Sequence, residues 1–276
     1  MINIDNKINP SWEHTSWTWV LECLKSELHN ENSKVLFCGA IEELFISKTL
    51  NKEYVNQVLD HCDSWIGVSH QHAKFLNRYF GKNDVKQNPL HKYIHKCKAF
   101  ITLSDYMSNY WKSTFPSAKI IKVFHPFPLR EKVFNFDRFI TQPKIRSLGL
   151  WGRKFNIWDH LDYPKDGGSH DSFLPFEKFD KTFVDTIQFM DVRDASANNG
   201  ILECIRRNTP ILTSQHPALK EYLGAKYPFY FKNLPEANKK IKDNKLIKET
   251  HEYLLNMNKE FINIENFTDT IKKIIS

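Results

Sequence analysis

The sequence predicts an α/β fold: two parallel-sheet domains facing each other across a cleft, followed by C-terminal helices. Three observations predict it. Short apolar runs, β-branched or aromatic and nearly continuous, alternate with amphipathic segments, the pattern of strands buried on both faces of a parallel sheet. The alternation passes along the chain twice. Between the passes lies HPFPLREKVFNFDRFITQPK (125–144), whose three prolines favour extended backbone and exclude a regular helix.

Taken in order, WTWVLECLKSEL near the N-terminus reads as an amphipathic helix. The strands of the first pass are KVLFC (34–38), WIGVS (65–69), AFITL (99–103) and KIIKVF (119–124). Leu50, Tyr54, Val55, Val58 and Leu59 form a helical stripe between the first two. Ser104 is placed to N-cap DYMSNYWKS. The second pass has strands at IRSLGL (145–150), TIQFM (186–190), PILTS (210–214) and PFYF (228–231). Helices are expected at about 200–207 and 217–223, the latter stopped by Gly224. Two long C-terminal helices follow, at roughly 236–257 and 265–275. The expected division is therefore 1–130, a linker over 131–144, and a second domain over 145–276.

Composition bounds the partners. With 276 residues, 41% of them hydrophobic, and a mean hydropathy of −0.51, the chain has enough apolar content for a core. Its net charge of +7 and pI of about 9.0 favour an anionic partner. The densest basic run, NKKIKDNKLIK (238–248), alternates with Ile and Leu at helical spacing and reads as a solvated helix face. A nucleic-acid partner explains the charge but not the junction described next. The five cysteines have no CxxC spacing, which argues against a zinc site or a disulfide framework and for a reducing compartment, the cytoplasm. No signal peptide or membrane span is expected, while peripheral membrane contact stays open.

In parallel α/β sheets, ligands lie outside the carboxyl ends of the strands. After WIGVS comes His70, and after IRSLGL come Arg153 and Lys154. Beyond TIQFM comes DASANNG, then Glu203 one turn into a helix. Unpaired N–H groups at a helix start attract anions. Either Asn198 or Asn199 can cap this helix, and Gly200 lets a ligand approach its backbone. The carboxylate of Glu203 suits a ribose diol, with phosphates on the helix start, Arg153 and Lys154. A capping box remains open as an alternative, with Gly200 as N-cap and Glu203 reaching back to its N–H.

The stretch DASANNGILECIRRNTPILTSQHPALKEYLG (194–224) resembles the donor-binding segment of GT-B-fold glycosyltransferases of the "glycosyl transferases group 1" type. There, a glycine-led helix carries a ribose-binding Glu, followed by a Thr-Pro-hydrophobic run and a His-Pro-Ala-Leu turn. GLWGRKFN (149–156) is similar to the diphosphate-binding motif, and WIGVSH to the strand whose terminal His lines the sugar pocket. The resemblance covers about 65–265. It implies two Rossmann-like domains in a compact GT-B arrangement and metal-independent transfer of a hexose or pentose. The donor would be a UDP- or GDP-sugar, and the acceptor a hydroxyl, most simply of a glycan under synthesis.

The roles the resemblance implies are these. Arg153, Lys154, Ser196, Asn198, Asn199, Gly200 and Glu203 bind the donor, and His70 and Asp194 take part in catalysis. No residue is expected to hold a metal. One departure counts against activity: where many relatives carry a first acidic residue, eight positions before the ribose Glu, this chain has Ala195, between Asp194 and Ser196. A catalytically silent sugar- or nucleotide-binding relative is the alternative reading.

Overall fold

The apolar runs become two parallel sheets. The computed structural model describes residues 1–9, 16–42, 52–80, 89–148, 156–166 and 176–276. The first sheet holds β1 (Val35–Cys38), β2 (Ser64–Ser69), β3 (Cys97–Thr102) and β4 (Ile120–Lys122), paired in chain order. The second holds β5 (Ile145–Ser147), β6 (Ile187–Met190), β7 (Ile211–Ser214) and β8 (Tyr230–Phe231), also in chain order. Every pairing is parallel, with Leu36 opposite Trp65, Ile101 opposite Ile121 and Phe189 opposite Leu212. All of β2 beyond Ser64 and all of β6 are buried, which is why these strands lack polar alternation. The α/β class with two parallel sheets is as expected.

The chain divides into two units, Met1–Pro126 with Phe261–Ser276, and Phe127–Glu260. Three details differ from the expectation. The division falls at Pro126 rather than across 131–144. Within that expected linker, Phe136–Thr141 is a helix, N-capped by the Asn135 side chain accepting from Arg138 N at 2.9 Å. The prolines at 128 and 143 lie outside this turn and leave it free to form. The long helix expected over 236–257 is two, Leu234–Ile241 and Asn244–Leu255, because Asp243 adopts extended backbone and caps the second through Leu246 N at 3.0 Å.

The last helix, Ile264–Ile275, packs in the first unit and not the second. It lies against the helix Ser16–Leu28, where Phe267 meets Trp17 edge-on and Lys272 pairs with Glu27 at 2.9 Å. Its Phe267, Thr268, Ile271 and Ile274 are buried, the i, i+1, i+4, i+7 stripe of a helix with one covered face. Burying such a face stabilises the unit by roughly 1.5–3 kcal/mol per large apolar side chain.

Candidate functional site

In the second unit, β6 and β7 end side by side and bring the DASANNG and SQHP segments together. The loops are tied by Ser214, whose Oγ accepts from Val192 N at 2.7 Å and donates to Val192 O at 3.1 Å. Asn198 is the N-cap of the helix Asn199–Arg207, its Oδ1 accepting from Gly200 N at 2.9 Å and Ile201 N at 3.4 Å. Gly200 is thus inside the helix and Glu203 lies beyond its first turn, so the capping box does not form. Two of the N–H groups at this helix start are already satisfied by Asn198. A Cβ on Gly200 would meet Met190 Cε at 2.9 Å and Leu148 Cδ1 at 3.2 Å. The glycine therefore lets the helix close down on β6 and on the end of β5.

Glu203 is buried, and its carboxylate is held by two guanidinium groups. Oε1 accepts from Arg130 Nη2 at 2.7 Å, and Oε2 accepts from Arg130 Nε at 3.1 Å and Arg207 Nε at 2.8 Å. The side chain is 7% exposed and that of Arg207 is fully buried. Arg207 also donates to Lys132 O at 2.9 Å and pairs with Asp180. The bidentate fork fixes the carboxylate plane. Any ribose hydroxyl reaching Glu203 must share it with Arg130 or displace it.

Asp194 lies in the same loop with its side chain 2% exposed, its Oδ1 3.7 Å from His216 Nε2. Imidazole Nδ1 of His216 accepts from Ala218 N at 3.2 Å and caps the helix Pro217–Leu223, so the ring proton is on Nε2, toward Asp194. Ser196 is buried and Asn199 exposed. Ala195, at the position of the missing acid, is buried. Arg153 and Lys154 lie outside the described residues. Leu148, beside Gly200, is the last described residue before that segment.

In the first unit, His70 follows β2 directly. Its Nε2–H donates to Gly39 O at 2.7 Å, which makes Nδ1 the unprotonated nitrogen. The ring packs edge-on to Trp17, centroids 4.4 Å apart, and 5.8 Å from His125. Burial, reinforced by His125, pushes His70 down to about 3, and burial pushes His125 down to about 4. Both imidazoles are neutral near pH 7. A base at His70 would be weak, and an uncharged hydrogen-bonding role fits it better.

Sequence reasoning did not single out Glu42, Trp17, Arg130 or the capping role of His216. The His-Pro pair at 216–217 was a legible signal for that cap. An open recess of about 470 Å³ includes Arg138, Lys144, Lys178, Lys181, Asp166 and Asp185. It lies by the amino ends of β5 and β6, the edge opposite to the one where such sheets bind ligands. Among the described residues, no group of three His, Cys, Asp or Glu side chains is arranged for a metal ion. No described helix is long and apolar enough to cross a membrane, and all five cysteines are free thiols.

No protein-family model matches the chain, and no curated protein matches it. Solved structures do. Sucrose-phosphate synthase from Thermosynechococcus elongatus superposes with a TM-score of 0.58 at 10% identity, over 94% of this chain and 76% of that one. HepE from Anabaena, in complex with UDP, gives 0.60 at 8% identity, over 93% and 81%. The pneumococcal O-GlcNAc transferase GtfA, in complex with UDP and GlcNAc, gives 0.53 at 10%, over 87% and 57%. The chain therefore has the fold of GT-B glycosyltransferases.

Proposed function

We propose that this chain, built on the fold of nucleotide-sugar-dependent glycosyltransferases, transfers a sugar from a UDP- or GDP-sugar to a hydroxyl acceptor, a glycan under synthesis being the simplest. The observation that carries the reading is the junction at the carboxyl ends of β6 and β7. There the Asn198-capped helix begins and Asp194 faces His216, with Ser196 in the same loop and Glu203 farther along the helix, on a fold shared with a protein solved with UDP. In this reading Arg153 and Lys154 stabilise the departing diphosphate, and the ribose hydroxyls compete with Arg130 for Glu203. Asp194 and His70 are the residues assigned to catalysis, and the reaction runs in the cytoplasm without a resident metal.

The test has two steps. UDP or GDP should raise the melting temperature, and a donor panel should then release nucleoside diphosphate in the presence of EDTA. Arg153→Ala should lose that release while keeping its fold. If neither nucleotide protects the protein at millimolar concentration, the reading fails.

A silent relative has its own support: Ala195 replaces the first acid, and Glu203 is occupied from within. Protection by nucleotide with no donor turnover would select it.

A further inference from the structure

Between β1 and β2 of the first unit sits a carboxylate that none of the above uses. Glu42 is 5% exposed. Its Oε1 accepts three hydrogen bonds from consecutive residues at the end of β2: Ser69 Oγ at 2.8 Å, His70 N at 2.9 Å and Gln71 N at 2.9 Å. The Ser69 hydroxyl is itself oriented by Trp111 Nε1, which donates to it at 3.0 Å. One oxygen of Glu42 thus pins the turn that carries His70.

The other oxygen does not share in this. Among the described residues, Oε2 is buried with no hydrogen-bond partner. Trp17 Nε1, a buried donor, is in the same position. The two flank one residue. Trp17 packs on the His70 ring, and its Nε1 lies 2.6 Å from where a Cβ on Gly39 would stand, beside the carbonyl that holds His70. An unmatched acceptor and an unmatched donor therefore sit at the same end of the same sheet. Leaving buried polar groups unpaired is costly, and native structures seldom do so without a reason.

The chemistry selects the class of ligand. A cation would satisfy Glu42 but face the Trp17 N–H. An anion would satisfy Trp17 but be repelled by Glu42. A hydroxyl both donates and accepts, so one kind of group can satisfy either atom. We propose that Glu42 Oε2, with Trp17 Nε1, forms a hydroxyl-binding site for a sugar or similar polyol beside His70, while Glu42 Oε1 holds the His70 turn in place. This rests on the glycosyl-transfer reading and assigns it a recognition group on the first unit. Burial raises Glu42 to about 7, so it is largely a carboxylate at pH 8. The titratable groups facing it, His70 and through it His125, stay neutral there and do not compensate its charge.

The experiment titrates the full chain at pH 8 with the methyl glycosides of glucose, galactose, mannose and N-acetylglucosamine, and separately with UDP. Glu42→Gln keeps the Oε1-type acceptor and turns Oε2 into a donor. It should weaken binding of the best glycoside about ten- to hundredfold, as loss of a charge-assisted hydrogen bond does, and leave UDP affinity within twofold. Trp17→Phe should weaken the same glycoside about three- to tenfold. Wild-type protein that binds UDP but no glycoside would overturn the inference and leave internal water as the partner of both atoms. Equal glycoside affinity in wild type and Glu42→Gln would overturn it as well. Failure of both UDP and, titrated in the same way, GDP to bind would instead strike the glycosyl-transfer reading.

Discussion

Replacing Glu203 by Ala should destabilise the second unit before it says anything about a ligand. Glu203 accepts from Arg130 at 2.7 and 3.1 Å and from Arg207 at 2.8 Å, inside a region where Arg207 is fully buried. Breaking a buried ion pair by removing one partner costs about 3–5 kcal/mol, because it strands the other charge. Arg207 is not wholly stranded, since Asp180 and Lys132 O still hold it. Arg130, 20% exposed, can turn toward water. The expected cost is therefore at the low end, about 3 kcal/mol, and a melting temperature lower by about 10 °C. Glu203→Gln keeps one acceptor and should cost about half as much.

Calorimetry of the full chain reads this directly, and a double-mutant cycle with Arg130→Ala isolates the pair, with a coupling of at least about 1 kcal/mol expected. A Glu203→Ala variant within about 0.5 kcal/mol of wild type would refute the reasoning and show that the carboxylate is not structurally engaged. The same arithmetic makes Glu203→Ala a poor probe of ribose binding, for which Glu203→Gln is the better choice.

Other consequences follow from the first unit and from the caps. His70 and His125 are held below their ordinary value, so the unfolded chain takes up protons below about pH 6.5 while the folded one does not. Stability should fall by about 2 kcal/mol per histidine between pH 6.5 and pH 5, as read by urea denaturation. Glu42 is shifted the opposite way: the unfolded chain loses its proton above about 4.5 and the folded one only near 7. The Glu42 contribution to stability should therefore drop by roughly 3 kcal/mol across that window, opposing the two histidines, and Glu42→Gln should leave the histidine rise uncompensated. Taken together these place the optimum of their summed contribution near pH 7. Asn198→Ala removes the cap of the helix Asn199–Arg207 and should cost about 1 kcal/mol, whereas Asn199→Ala, at an exposed position, should stay within about 0.5 kcal/mol in the same assay.

The strands were legible because burial on both faces leaves an unbroken apolar run, as in WIGVS and TIQFM. Caps were legible where a short polar residue precedes a helical stripe: Ser104 accepts from Met107 N as its position implied. Long-range pairing was not. Beside Arg207 at i+4, Glu203 has a distant partner in Arg130, 73 residues earlier in a proline-flanked segment, and no local pattern connects those two. Glu42 follows the same logic, since its three donors come from 27 to 29 residues later. Periodicity also carried the helix over 236–257 straight through Lys242–Asp243, because the apolar stripe continues in phase across a break that only the backbone of Asp243 reveals. Likewise the covered face of Ile264–Ile275 told that it packs, but not on what.

That last helix has a practical corollary. Because residues 261–276 complete the first unit, the second unit is an insertion within it. A fragment of residues 127–260 can be produced as one uninterrupted gene segment, while any fragment ending at 126 leaves the Ser16–Leu28 helix without Phe267 against Trp17 and Lys272 against Glu27. Cloning the first half alone should yield aggregating material, and splicing 1–126 to 261–276 through a short glycine-serine tether should rescue it.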